Sequence, residues 1–137
     1  MKNGWYERDE YKLHIKEHYV NGKLHNDNGI ARFIYKSGKL IVECYYLNGK
    51  LNREDAPAEI HYYENGNIQS KWHYKNSKRH NDNGPAVIHY YENGSMHSEQ
   101  YCQDNFLHRE NNPAHIYYNE DGSVKKELFY LNGELIK

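Results

Sequence analysis

The sequence predicts an all-β chain: an elongated, single-layer antiparallel β-meander of tandem β-hairpin repeats. Three observations predict it. Turn dipeptides recur along the chain, the segments between them sort into alternating rows, and tyrosine takes the place that leucine and valine usually hold. The dipeptides are Asn21-Gly22, Ser37-Gly38, Asn48-Gly49, Asn65-Gly66, Asn76-Ser77, Asn93-Gly94, Asp104-Asn105, Asp121-Gly122 and Asn132-Gly133, spaced by 16, 11, 17, 11, 17, 11, 17 and 11 residues. Asn-Gly and Asp-Gly supply positive φ at little steric cost, which makes them the strongest short-range hairpin signal between strand-like segments.

The alternating spacings define a unit of about 28 residues. Residues 1–137 read as a single repeat domain, with a half-unit over 11–18, full units over 19–44, 45–72, 73–100 and 101–128, and a partial unit over 129–137. Such a stack needs no large core, because each unit packs on its neighbours. Side chains alternate between the two faces of a strand, so the first strands give a row of Ala31, Phe33, Tyr35; Ala58, Ile60, Tyr62; Ala86, Ile88, Tyr90; and Ala114, Ile116, Tyr118. The second strands give Leu40, Val42, Cys44; Ile68, Ser70, Trp72; Met96, Ser98, Gln100; and Val124, Lys126, Leu128.

A three-residue loop, Glu64-Asn65-Gly66 with Gly66 left-handed, sets Tyr62 opposite Ile68, Ile60 opposite Ser70 and Ala58 opposite Trp72. In the shorter first unit a two-residue Ser37-Gly38 loop sets Tyr35 opposite Leu40, Phe33 opposite Val42 and Ala31 opposite Cys44. On this register both rows form one core face, with Trp72 buried in it and the pairs Glu59 with Lys71 and Arg32 with Glu43 outside. Cys44 and Cys102 then lie about four strand spacings apart, roughly 19 Å, and are expected to be free thiols.

Each long spacing also carries a polar segment, as in Leu51-Asn52-Arg53-Glu54-Asp55-Ala56 and Arg79-His80-Asn81-Asp82-Asn83-Gly84, which leads to the next strand's alanine. Asn and Asp satisfy nearby backbone groups with their own side chains, so these segments are expected to bulge out. The pattern is clearest from Asn76-Ser77-Lys78-Arg79-His80 through Pro85-Ala86-Val87-Ile88-His89-Tyr90-Tyr91 to Asn93-Gly94. It resembles the MORN-like repeats of some bacterial antitoxins and of proteins in large DNA viruses. The resemblance runs from about Tyr11 to the end, although these units are longer and less glycine-rich than the usual MORN unit. It implies single-layer antiparallel sheets that act as interaction scaffolds, and it brings no catalytic residue.

Composition narrows the function classes. Eighteen Lys and Arg offset nineteen Asp and Glu without a block of like charge, which argues against capture of nucleic acid. No run approaches the roughly 20 apolar residues of a membrane span, and the first residues lack a signal-peptide pattern, so a cytoplasmic chain is expected, in host cytoplasm if the source is viral. Fifteen of twenty aromatic residues are tyrosine, and mean hydropathy is −1.16. Equivalent histidines lie two strands apart, about 9.5 Å, so neither a metal site nor a cofactor is expected. The acidic and nucleophilic residues follow the repeat, and no catalytic residue is assigned.

The expected partner is another protein, with self-association through unpaired edges as a further expectation. The first candidate surface is an outer aromatic face of His61, Tyr63, His73, His89, Tyr91, His97, Tyr101, Tyr117 and Phe129. Tyrosine and histidine offer rigid contact area with polar tips. The second comprises Arg53, Glu54, Asp82, His108, Arg109 and Glu110 in the bulged segments, whose recurrence in every unit also suits plain turn chemistry. An antitoxin, immunity factor or pathogen-encoded inhibitor is the expected type, and binding of glycans or cell wall by the aromatic residues is the alternative.

Overall fold

The computed structural model describes residues 1–137 and contains no helix. Strands β1 (Gly4–Glu10) and β2 (Leu13–Val20) form a first hairpin, and β3 (Lys23–Leu24) folds back on β2. Each unit then repeats a long hairpin followed by a short one. The first pairs β4 (Arg32–Lys36) with β5 (Lys39–Cys44), then β6 (Tyr46–Leu47) with β7 (Lys50–Leu51). The second pairs β8 (Glu59–Tyr62) with β9 (Ile68–Trp72), then β10 (Tyr74–Lys75) with β11 (Lys78–Arg79). The third pairs β12 (Val87–Tyr90) with β13 (Met96–Gln100), then β14 (Cys102–Gln103) with β15 (Phe106–Leu107). The last pairs β16 (His115–Tyr118) with β17 (Val124–Leu128), then β18 (Tyr130–Leu131) with β19 (Glu134–Leu135).

The long strands form one open antiparallel sheet in chain order, β1-β2-β4-β5-β8-β9-β12-β13-β16-β17, which is the expected all-β meander. Its turns follow the residues that favour them. Ser37 and Gly38 both have positive φ, as a two-residue hairpin loop requires, and Gly66, Gly94 and Gly122 are left-handed with φ of 90 to 94°. One turn has no such signature: Tyr11 and Lys12, at φ 50° and 68°, join β1 to β2, and so add a strand before the expected half-unit.

The register differs from expectation in one decisive way. Tyr62 does lie opposite Ile68, but a β-bulge follows, so that His61 faces Ser70, Ile60 faces Lys71 and Glu59 faces Trp72. The same shift occurs in every long hairpin of the repeat, with Ile34 opposite Val42, His89 opposite Ser98 and Tyr117 opposite Lys126. Ile41, Gln69, His97 and Lys125 are the extra residues. Because side chains alternate with period two, one extra residue sends the remainder of each second strand to the other face. Ile60 therefore does not pair with Ser70, nor Phe33 with Val42, and Trp72 lies opposite Glu59 rather than Ala58. The expected outer pairs change too: Arg32 lies opposite Cys44, and Phe33 opposite Glu43.

Two faces result in place of one apolar face. The back face carries the cross-sheet row Phe33, Glu43, Ile60, Lys71, Ile88, Glu99, Ile116, Glu127. Tyr62 and Tyr118 donate to the Glu43 and Glu99 carboxylates at 2.6 Å, while in the unit between them the Lys71 ammonium lies over the Tyr90 ring. Burial and those carboxylates push both phenols up. The front face carries the other halves of the strands.

Small residues gather where long and short hairpins meet. Ala31, Ala58, Ala86 and Ala114 are fully buried, and Ala86, Val87 and Cys102 form a cluster against which Trp72 and Leu107 pack. Cys44 and Cys102 are buried and unpaired, and burial pushes the Cys44 thiol up to about 12. Successive short hairpins are tied by backbone bonds such as Gly49 N–H to the Leu24 carbonyl and Ser77 N–H to Leu51, both 2.8 Å.

Candidate functional site

The bulges build the front face. They bring Ser70 and Ser98, from second strands, into one row with His61, His89 and Tyr117 from first strands. The order is His61, Ser70, His89, Ser98, Tyr117. A small buried serine thus separates each pair of rings, and the rings stand over hollows instead of closing a layer. Gln69 and His97, the extra residues at two of the bulges, stand beside this row. Tyr63 and Tyr91 complete the wall, and their hydroxyls donate to the carbonyls of Tyr90 and Tyr118 in the next unit at 2.7 Å.

Two adjoining hollows follow, of about 390 and 340 Å³, sharing Tyr63 and Gln69. The first is rimmed by Lys36, Lys39 and Glu64. The second, between Tyr63 and Tyr117, has no charged side chain in its lining. Its rings are set edge to face: Tyr91 on His97 at 4.8 Å between centroids, and His97 on Tyr117 at 6.4 Å. Trp72, in the next row, meets His89 edge to face at 5.5 Å and donates from Nε1 to Ser70 Oγ at 2.9 Å.

Two of the histidines lining this second hollow are held toward the neutral form. Burial, aided by the neighbouring imidazoles of His97 and His61, holds His89 below the usual histidine range. Burial, with His89 and Lys126 nearby, does the same for His115. The polar atoms remain available in part: Gln100 Nε2 and His115 Nε2 are 3.4 Å apart, and His97 Nδ1 is buried with no hydrogen-bond partner. Such a surface offers aromatic area with donors and acceptors at the ring edges and no charged side chain in its lining.

Of the first candidate surface, His61, Tyr63, His89, Tyr91, His97 and Tyr117 lie together along these two hollows. His73, Tyr101 and Phe129 do not. Each sits at the break between a long and a short strand, where the ladder stops and its alternation no longer applies. His73 is held to the Ala86 carbonyl through its backbone N–H at 2.7 Å, the Arg109 guanidinium covers Tyr101 at 3.8 Å, and the Lys137 ammonium covers Phe129. Trp72, Gln69, Ser70, Ser98 and Gln100 are the additions, while His115, which the alternation already places on the outer row beside Tyr117, lines the second hollow. Only the bulge puts the second-strand members here, and their polar stretch Ser98-Glu99-Gln100 gives no hydrophobic signal of the shift.

The second candidate surface is engaged in holding its own loops. Arg53 stacks on Tyr45 at 3.8 Å and donates to the Pro57 carbonyl, and Arg109 repeats this with Tyr101 and Pro113. Asp82 binds His80 Nε2 at 2.9 Å, and His108 Nδ1 accepts from the Asn132 N–H. Glu54 and Glu110 are exposed beside them.

A family model described as a MORN repeat variant matches residues 27–48, 58–76 and 114–132. The segment 86–104 carries the equivalent strands β12, β13 and β14 but lies outside these matches. No curated protein and no solved structure gives a significant match.

Proposed function

We propose that this chain, a MORN-like repeat protein, is a non-enzymatic binding module that presents its front-face groove to another protein. MORN repeats are generally modules that bind proteins or membranes, and no helix here is long and apolar enough to cross a membrane. The carrying observation is the uncharged hollow of Tyr63, Gln69, His89, Tyr91, His97 and Tyr117, built by a bulge repeated in every unit. Tyrosines and histidines on strands are rigid, so they bury area on binding at small entropic cost. A stoichiometric inhibitor of the antitoxin or immunity type is the finer form of this reading.

One observation favours a second reading, in which the groove takes a neutral glycan. Trp72 stands on the same face as the uncharged hollow, where its ring can stack on a sugar. Affinity capture from the native extract, with and without glycosidase, separates the two. Protein binding predicts one stoichiometric partner that survives glycosidase, is lost with Tyr91→Ala and Tyr117→Ala together, and is kept with the back-face change Tyr118→Ala. Retention on polysaccharide alone, or equal loss with Tyr118→Ala, rejects it.

A further inference from the structure

Five junctions share one geometry, four between successive short hairpins and one between the N-terminal segment and the β2–β3 turn. In each, the first residue of a turn donates its backbone N–H to a side chain of the preceding unit. Asn21 donates to Asn3 Oδ1 at 2.8 Å, Asn48 to His25 Nδ1 at 2.9 Å, and Asn76 to Asn52 Oδ1 at 2.9 Å. Asp104 donates to His80 Nδ1 at 3.1 Å and Asn132 to His108 Nδ1 at 3.0 Å. The following residue always donates to the carbonyl just before that side chain, from Gly22 to Lys2 through Gly133 to Leu107, at 2.8 to 2.9 Å.

Asparagine and histidine substitute for one another at this position because each carries an acceptor one bond beyond Cγ. They differ in one respect. The amide oxygen accepts at any pH, whereas Nδ1 accepts only while it carries no proton. In two junctions the tautomer is set from the other side of the ring, where Nε2 donates to Asp27 at 2.7 Å and to Asp82 at 2.9 Å.

We propose that His25, His80 and His108 are proton-operated latches: a proton taken up at Nδ1 opens their three junctions, while Asn3 and Asn52 hold the other two shut. The imidazolium N–H would then face a backbone N–H, two donors with no acceptor between them. Charged groups stand around each of the three rings. His25 has Asp27 on Nε2, with Lys23 packed along the facing turn at Gly49. His80 has Asp82 on Nε2 and the Asp104 carboxylate 3.5 Å from Nδ1, so its latch gives way to an ion pair with the same residue. His108 has Arg109 and Glu110 beside it and Asp82 across a shared hollow, with Glu134 on the facing hairpin β18–β19. Opening is the loss of that one bond at each junction: the backbone bonds beside it, such as Asn105 N–H to the Arg79 carbonyl, and the ten-strand sheet stay paired.

The molecule carries its own controls. Amide exchange followed by NMR on the full chain, from about pH 8 to about pH 5 and corrected for intrinsic rates, compares the five donating amides. Asn48, Asp104 and Asn132 should lose protection about fivefold relative to Asn21 and Asn76, the loss of one ordinary hydrogen bond. All five amides moving together, or none moving, overturns the proposal. In His80→Asn the response at Asp104 should vanish while those at Asn48 and Asn132 persist. A response at Asp104 that survives this change overturns the latch just as surely. If that variant does not fold, the comparison among the five wild-type amides still decides.

Discussion

One row of the front face crosses all ten strands, and two stretches of it are held by different physics. It reads Tyr6, Glu17, Arg32, Cys44, Glu59, Trp72, Val87, Gln100, His115, Leu128. Near the N-terminus, Glu17 is 1% exposed and held by Arg8, by Arg32 at 2.7 Å and by the Tyr19 hydroxyl at 3.2 Å. In the third unit the same row carries Val87, wholly buried against Ala86 and Cys102. The backbone is the same in both places. A ladder position therefore fixes where a side chain points and leaves open whether charge or apolar area fills the space. The uncharged hollow lies over the later stretch, where Gln100 and His115 of this row are in its lining.

The largest expected effect is at Glu17. Glu17→Ala leaves Arg32 partly buried without its carboxylate and should cost about 3–5 kcal/mol in urea unfolding. Val87→Ala removes apolar contact alone and should cost about 2 kcal/mol. Equal losses would erase the distinction between the two stretches.

Acid should also take the molecule apart in order. Desolvation raises the Glu17 carboxyl, but its bonds to Arg8 and Arg32 outweigh that and leave it below its ordinary 4.5. Its contribution is complete above that value and is lost as pH falls through the lower, folded value. His89 and His115 are likewise held below their ordinary 6.5, so their contribution is complete above it and fades as pH falls through their folded values. Exchange protection in β12 and β16 should therefore drop at milder acidity than protection in β2 and β4, and the reverse order would contradict these assignments.

Trp72→Ala should cost about 2 kcal/mol, less than a fully buried indole, because the ring is only partly covered. A thermal melt that places it level with Glu17→Ala would return Trp72 to the core. The smallest effect is a gain: replacing Tyr11-Lys12 with Asn-Gly relieves two left-handed residues and should stabilise the β1–β2 hairpin by about 1 kcal/mol.

Much of the fold was legible because it rests on turns. Asn48-Gly49 and Ser37-Gly38 state their φ requirement in residue type, and the loop glycines Gly66, Gly94 and Gly122 fixed the first pair of each hairpin correctly. The bulge one step further in was not legible. Gln69 and Lys125 carry no mark of it, and Ser70-Lys71 or Ser98-Glu99 are polar enough to suit either face. Six of nine residues of the expected aromatic surface still assemble, because they come from first strands and from positions next to the loop, where the register had not yet slipped. Tyr11-Lys12 stayed hidden for the opposite reason: the residues oppose the turn, and the seven cross-strand pairs of β1 and β2 impose it.

The loops and bulges together also confine copying errors. The first unit has a loop one residue shorter than its successors, yet its bulge still falls after Leu40 and its later pairs match theirs. Register is set afresh at every turn, so an insertion or deletion alters one hairpin and stops there. Deleting Gln69 would move Ser70 and Trp72 to the back face of one unit and leave Ser98 and Gln100 in place. A lineage carrying this architecture can lengthen, shorten or re-face individual units while the rest of the molecule stays in frame.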